Sequence, residues 1–156
     1  MTTGTINYGD VLVQVQKQRK KYAESLDAFH VDVEAHVEDI INCSSSEELW
    51  DYRDKLEEIR GTVYKLKKSA ARNKAEISDG YHDSVRVSMA GIKNATGTGE
   101  ERKAKYEMQH ITEYKILNNL ERMVEDLERF SWYLEGRLNW IKDRQRWLMN
   151  NERFNQ

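Results

Sequence analysis

The sequence predicts an all-α protein built from long helices, and three observations carry that reading. Proline is absent from all 156 residues. Proline breaks helix interiors, so its absence permits unusually long helices. Hydrophobic residues make up 38% and charged residues 33%. That balance suits helices that bury one narrow stripe and solvate the rest. Apolar residues recur at spacings of three, four and seven over three separate stretches. The expected architecture is a long-helix hairpin or a three-helix, coiled-coil-like bundle. It forms one helical domain over residues 1–156, with helices at about 10–41, 45–77 and 99–150.

The first helix is placed from Asp10, a reasonable N-cap, to Ile41. Its apolar face is Val15, Tyr22, Leu26, Phe29, Val33, Val37 and Ile40. Asn42 to Ser46 breaks the pattern. Ser45 and Glu48 then form a capping box, in which the hydroxyl and the carboxylate each satisfy an orphan amide. The second helix carries Leu49, Tyr52, Leu56, Ile59, Val63, Leu66 and Ala70, and Ser78-Asp79-Gly80 is a natural stop. Residues 80–98 are read as a glycine-containing flexible connection. Within it, the alternating Val85-Arg86-Val87-Ser88-Met89 fits either a short strand or a helical turn.

Thr98 opens a second capping box with Glu101. The third helix carries a 3–4 alternation through Leu117, Leu120, Val124, Leu127, Ser131, Leu134, Leu138, Ile141, Gln145 and Leu148. Leu120, Val124, Leu127, Leu134, Leu138 and Ile141 are the expected oligomer seam. Ser131 and Gln145 interrupt it as polar residues that set register or oligomer state. Three narrow stripes give little core for one chain, so leftover apolar surface is expected to pack against other copies.

Cys43 is the only cysteine, which excludes an intrachain disulfide and a cysteine-based zinc site. A lone cysteine suits a reducing compartment. Met1 to Asp10 is polar and lacks a signal pattern, and no stretch of about 18 apolar residues is present. The expectation is a cytoplasmic protein with no membrane partner. The net charge of −2 is not that of a uniformly basic nucleic-acid binder. The charge is distributed unevenly, however: Arg60, Lys65, Lys67, Lys68, Arg72 and Lys74 follow one another with no acid between them.

The most specific pattern lies on the third helix. Tyr133, Arg137, Trp140, Arg144 and Trp147 are spaced four, three, four, three, offset by one residue from the leucine seam. Lys142 and Arg146 flank them. Arginines between aromatics on one face suit single-stranded nucleic acid: bases stack on the rings while the cations neutralise phosphates. The same stripe suits a subunit interface or a widened core, where Trp132 would join Trp140 and Trp147. On the second helix, Lys65, Lys68 and Arg72 share a face, as do Lys67 and Lys74. Such faces track a phosphate backbone or are simply solvated. Arg102, Lys103 and Lys105 open the third helix against its macrodipole, a small cost that an anionic partner would offset.

Enzyme signatures are missing. No P-loop, GxSxG, dinucleotide fingerprint or Cys/His nucleophile pattern is found. Asp27/His30, Asp79/His82 and Glu107/His110 have the spacing of a helical di-metal motif. Two of the three use aspartate, and one straddles Gly80. Glu125-Asp126-Leu127-Glu128 is not matched by a second acidic motif of the kind helical pyrophosphohydrolases need. The chain is therefore read as a non-enzyme with no metal or cofactor.

Residues 97–105, Gly-Thr-Gly-Glu-Glu-Arg-Lys-Ala-Lys, lie between a lysine-rich helix and a long helix. That long helix ends in Trp140-Ile141-Lys142-Asp143-Arg144-Gln145-Arg146-Trp147-Leu148-Met149-Asn150-Asn151. Over about residues 50–154 this organisation is similar to the phage UvsY-type recombination mediators. The resemblance implies a helical oligomer, a ring, in a host cytoplasm. It also implies binding of single-stranded DNA, displacement of a single-strand-binding protein and loading of a RecA-like recombinase. The N-terminal helix here is longer and more acidic than that pattern. Without the resemblance, an oligomeric scaffold or adaptor with no nucleic-acid binding fits the same residues.

Overall fold

The structure is a computed structural model that describes residues 7–91 and 98–154. Among these residues all regular structure is helical: α1 (Tyr8–Ala35), α2 (Val37–Asn42), α3 (Glu48–Gly91), α4 (Gly99–Gln109) and α5 (Ile111–Phe154). The long helices pack against one another, as an all-α chain with one apolar stripe per helix requires.

The local chemistry explains each helix boundary. Asn7, not Asp10, caps α1: its Oδ1 accepts from the Gly9 amide at 3.1 Å, and its side-chain amide donates to Asp10. Asp10 sits in the first turn, where its charge complements the helix dipole. One capping box forms in full and the other in half. The Glu48 amide donates to Ser45 Oγ, but the returning Glu48 carboxylate accepts from the Ser44 amide and not from that of Ser45. Thr98 and Glu101 exchange both bonds, at 3.3 and 2.9 Å.

Several boundaries differ from expectation. The first helix does not run unbroken to Ile41. His36 sits at φ −92° and ψ −5°, between α1 and α2, with its ring 5.2 Å from that of Tyr52. Ser78-Asp79-Gly80 does not stop α3, which continues to Gly91, so Val85–Met89 is helical and not a strand. A single glycine in a helix costs about 1 kcal/mol, less than ending a 44-residue helix that packs on its neighbours. Residues 80–91 of the expected flexible connection are therefore helical, and residues 92–97 lie outside the described ones. The third helix is divided at His110 into α4 and α5, and α5 runs past Asn150 to Phe154.

Packing falls into two compact units, Met1–Lys21 with Ser69–Val124, and Tyr22–Lys68 with Glu125–Gln156. In the first, Arg19 donates to Asn119 and Lys74 pairs with Glu121 at 2.9 Å. Val15, Ile116, Leu120 and Met123 are buried there, and the Tyr81 ring meets that of His110 edge-on. In the second, Phe29 and His30 meet Phe130 and Tyr133, so α1 and α5 run parallel. Lys67 pairs with Glu128 at 2.8 Å, and Ser46 bonds Glu152, so α3 runs antiparallel to both. The core of this unit is Val33, Ile40, Leu49, Leu56, Val63, Leu127, Phe130, Leu134, Leu138, Ile141 and Leu148.

The expected oligomer seam is therefore filled within one chain. Leu120, Leu127, Leu134 and Ile141 are fully buried and Leu138 is 1% exposed, with no second copy present. Val124 is half-buried beside them. The phase of the stripe also shifts. Ile116, Met123 and Phe130 are buried in place of the expected Leu117, Val124 and Ser131. From Phe130 the spacing is four, four, three, which averages about 3.67 residues per turn and follows an almost straight helix. The polar interruptions are satisfied inside the chain. Ser131 Oγ donates to the Leu127 carbonyl at 2.8 Å, and buried Gln145 donates to the Ser46 carbonyl at 3.2 Å.

Candidate nucleic-acid interface

The Tyr133–Trp147 stripe of α5 lies one residue from the buried seam, on the side that meets α1 and α2. Tyr133 Oη donates to the Glu34 carboxylate, and Arg137 donates to the same oxygen at 2.5 Å. The hydrogen bond from Tyr133 holds the Glu34 carboxyl below its ordinary value, with Arg137 reinforcing it against the opposing effect of burial. Burial first, then the bond to Glu34, pushes the Tyr133 phenol up. The hydrogen bond with Tyr133 raises Arg137 further, so the guanidinium stays charged.

Arg144 reaches the carbonyl oxygens of Ile41 at 3.1 Å and Cys43 at 3.5 Å. These belong to the last turn of α2 and the residue after it. The six-residue α2 has no base of its own in that turn, so Arg144 supplies the donor that helix C-termini need. The Arg144 guanidinium also lies 4.7 Å from the Trp147 ring, and its Nε is buried without a hydrogen-bond partner. Trp140 is half-buried. The stripe thus docks α5 onto α1 and α2, the packing alternative that the sequence left open. Trp147, 54% exposed, is its solvent-facing member.

The remaining cations divide by what surrounds them. Lys67, Arg72, Lys74 and Arg146 pair with Glu128, Glu76, Glu121 and Asp143. Lys65, Lys68, Arg102 and Lys142 have no ion pair among the described residues. The Lys103 side chain lies outside the described ones. Lys65 and Lys68 are exposed on α3. Beside them stands Tyr64, 65% exposed, the most exposed aromatic of α3. Sequence reasoning passed over Tyr64 because it follows the core residue Val63 and belongs to no aromatic repeat. Its position one residue off the Leu49, Leu56, Val63 heptad was the available signal. Trp50 is also exposed, at 48%, with the Arg53 guanidinium 4.8 Å from its ring.

Two of the histidines considered for a metal site make contacts within the chain. The His30 ring lies 4.9 Å from that of Tyr133, tilted by 49°, and His110 Nδ1 lies 3.2 Å from the Glu113 carboxylate. The side chains of His82 and Glu107 lie outside the described ones. Among the described residues no three His, Cys, Asp or Glu side chains converge in the way a metal site needs. Burial first, then the nearby Glu48 charge, pushes the Cys43 thiol up, away from the thiolate that nucleophilic chemistry uses. Among the described residues no helix is long and apolar enough to cross a membrane. No family model, curated protein or solved structure matches the chain.

Proposed function

We propose that the chain is a single-stranded nucleic-acid-binding accessory protein of the UvsY-type organisation, which helps to load a RecA-like recombinase. The observation that carries the binding is the outer face of α3. There Tyr64 stands exposed between a glycine at 61 and the unpaired Lys65 and Lys68, in a run of six cations with no acid. An exposed ring offers stacking of about 1–3 kcal/mol per base, and unpaired ammonium groups release counterions from phosphates. Trp50 with Arg53 gives a ring–guanidinium pair in the same unit, and Trp147 a further exposed ring.

The test is a titration with a fluorescent single-stranded oligonucleotide over a salt series. The logarithm of affinity should fall linearly with the logarithm of salt, by about 0.7 per phosphate neutralised. An affinity that is flat across the series contradicts the reading.

A second reading, a helical scaffold or adaptor that binds no nucleic acid, is favoured by one observation. Tyr133, Arg137 and Arg144 are spent on internal docking. It expects no retardation of any oligonucleotide and a partner seated on the exposed aromatic residues instead.

A further inference from the structure

The outermost strip of α3 carries Asp54, Glu58, Gly61, Lys65 and Lys68, spaced four, three, four, three, opposite the core residues Leu56 and Val63. All five are exposed, and none of the four charges has an ion pair among the described residues. The three bases on the acidic side are each engaged within α3: Arg53 over Trp50 at 4.8 Å, Lys55 over Tyr52 at 5.7 Å and Arg60 with the Glu57 carboxylate at 2.6 Å. The strip is therefore acidic on one side of Gly61 and basic on the other.

Gly61 itself has no intrachain explanation. A Cβ there would meet nothing within 4 Å, and an interior helical glycine is destabilising. Its one structural property is that it lets another backbone come close.

We propose that a second copy of the chain docks antiparallel on this strip, with Gly61 against Gly61 at the two-fold axis. In that register Asp54 faces Lys68 of the other copy, Glu58 faces Lys65, and the reciprocal pairs follow by symmetry. A two-fold interface must be self-complementary, and a strip with opposite charges about 5–10 Å either side of its centre satisfies this. Seam residues of α5 take no part, since they are already covered. The contact is mainly electrostatic, so it is salt-sensitive. It also covers Lys65 and Lys68, so single-stranded nucleic acid and the second copy compete for them.

The test is the native mass of the full chain by sedimentation equilibrium, for wild type and two charge-reversed variants, Asp54→Lys/Glu58→Lys and Lys65→Glu/Lys68→Glu. Far-ultraviolet circular dichroism checks that each variant is folded. Wild type should dimerise with a dissociation constant that rises at least about tenfold between low and moderate salt. Each variant alone should be monomeric where wild type is dimeric. Mixing the two should restore a dimer, because one copy then presents four bases and the other four acids. If a reversal unfolds the chain, Gly61→Leu replaces it: the added side chain separates the helices while leaving every charge in place, and should also give a monomer.

A wild type that stays monomeric at low salt and high concentration overturns the proposal. So does an assembly whose mass neither reversal changes, or a pair of monomeric variants that do not associate on mixing. An oligonucleotide arm separates this from the proposed function. A salt-sensitive dimer that ignores oligonucleotides leaves the interface standing and removes the nucleic-acid reading. Oligonucleotide binding by a monomeric wild type does the reverse.

Discussion

On α5, Tyr133, Arg137 and Arg144 reach Glu34 of α1 and the carbonyls at the end of α2. On α3, Tyr64, Lys65 and Lys68 face solvent with no ion pair among the described residues. Both sets combine an aromatic ring with cations; the whole α5 stripe read as nucleic-acid binding from sequence, and of the α3 set only Lys65 and Lys68 did. What separates them is the opposite partner. The α5 stripe lies beside a buried seam, on the side that α1 and α2 cover. On α3, Lys65 and Lys68 lie opposite the Leu56–Val63 seam, and Tyr64, one residue off it, is left 65% exposed. What packs against that side of the helix, not residue type, decides which aromatic–cation pairs remain available to a ligand.

The sharpest break of this comparison is in the seam itself. Leu134→Ala should lower unfolding stability by about 3 kcal/mol, measured by chemical denaturation. The loss should be equal at all protein concentrations, because Leu134 is covered within one chain. A loss that grows on dilution would place the residue between subunits instead.

The next effects belong to the polar seam residue Gln145 and to the docking stripe. Gln145→Ala leaves the Ser46 carbonyl without its donor and should cost about 1–2 kcal/mol, with oligonucleotide affinity unchanged at temperatures where the variant is folded. Tyr133→Phe, which removes the bond to Glu34, should cost about 1 kcal/mol.

The same contact has a pH signature. The Glu34 carboxyl is lowered from 4.5 in the fold. Its contribution is therefore complete above that ordinary value and is lost as pH falls through the depressed one. The Tyr133 phenol is raised above 10.0. Its contribution is complete below that value and is lost as pH rises through the elevated one. Glu34→Gln should flatten the acid limb of a stability–pH curve. An acid limb unchanged in that variant would mean the pairing contributes nothing in solution.

Smallest in stability should be the α3 strip. Lys65→Ala/Lys68→Ala should change unfolding free energy by less than about 0.5 kcal/mol. The same double substitution should shallow the salt slope of oligonucleotide binding by about 1.4, two single-strand phosphate contacts.

The Thr98/Glu101 capping box and the Ser45 cap on the Glu48 amide were legible because they are local: donor and acceptor lie three residues apart and need no knowledge of the fold. The stop expected at Ser78-Asp79-Gly80 misled because one glycine is a weak signal beside the packing of a long helix. The phase of α5 was ambiguous for a different reason. Ile116 and Leu117, and Met123 and Val124, are adjacent apolar pairs, so either phase fills a stripe. Only the neighbouring helices select Ile116 and Met123. The docking role of Tyr133 and Arg137 could not be read locally at all, since Glu34 lies about a hundred residues away along the chain. Tyr64 was missed because it belongs to no repeat, and its exposure is a property of α3's orientation.

One measurement tests the contrast most directly: oligonucleotide binding and thermal melting recorded together for Lys65→Ala/Lys68→Ala and for Arg137→Ala/Arg144→Ala. The α3 pair should lose affinity and salt dependence while melting as wild type does. The α5 pair should melt earlier yet bind, when folded, with the wild-type salt slope. The opposite pattern, an α5 pair that melts normally but no longer binds beside an α3 pair that binds fully, would contradict the account.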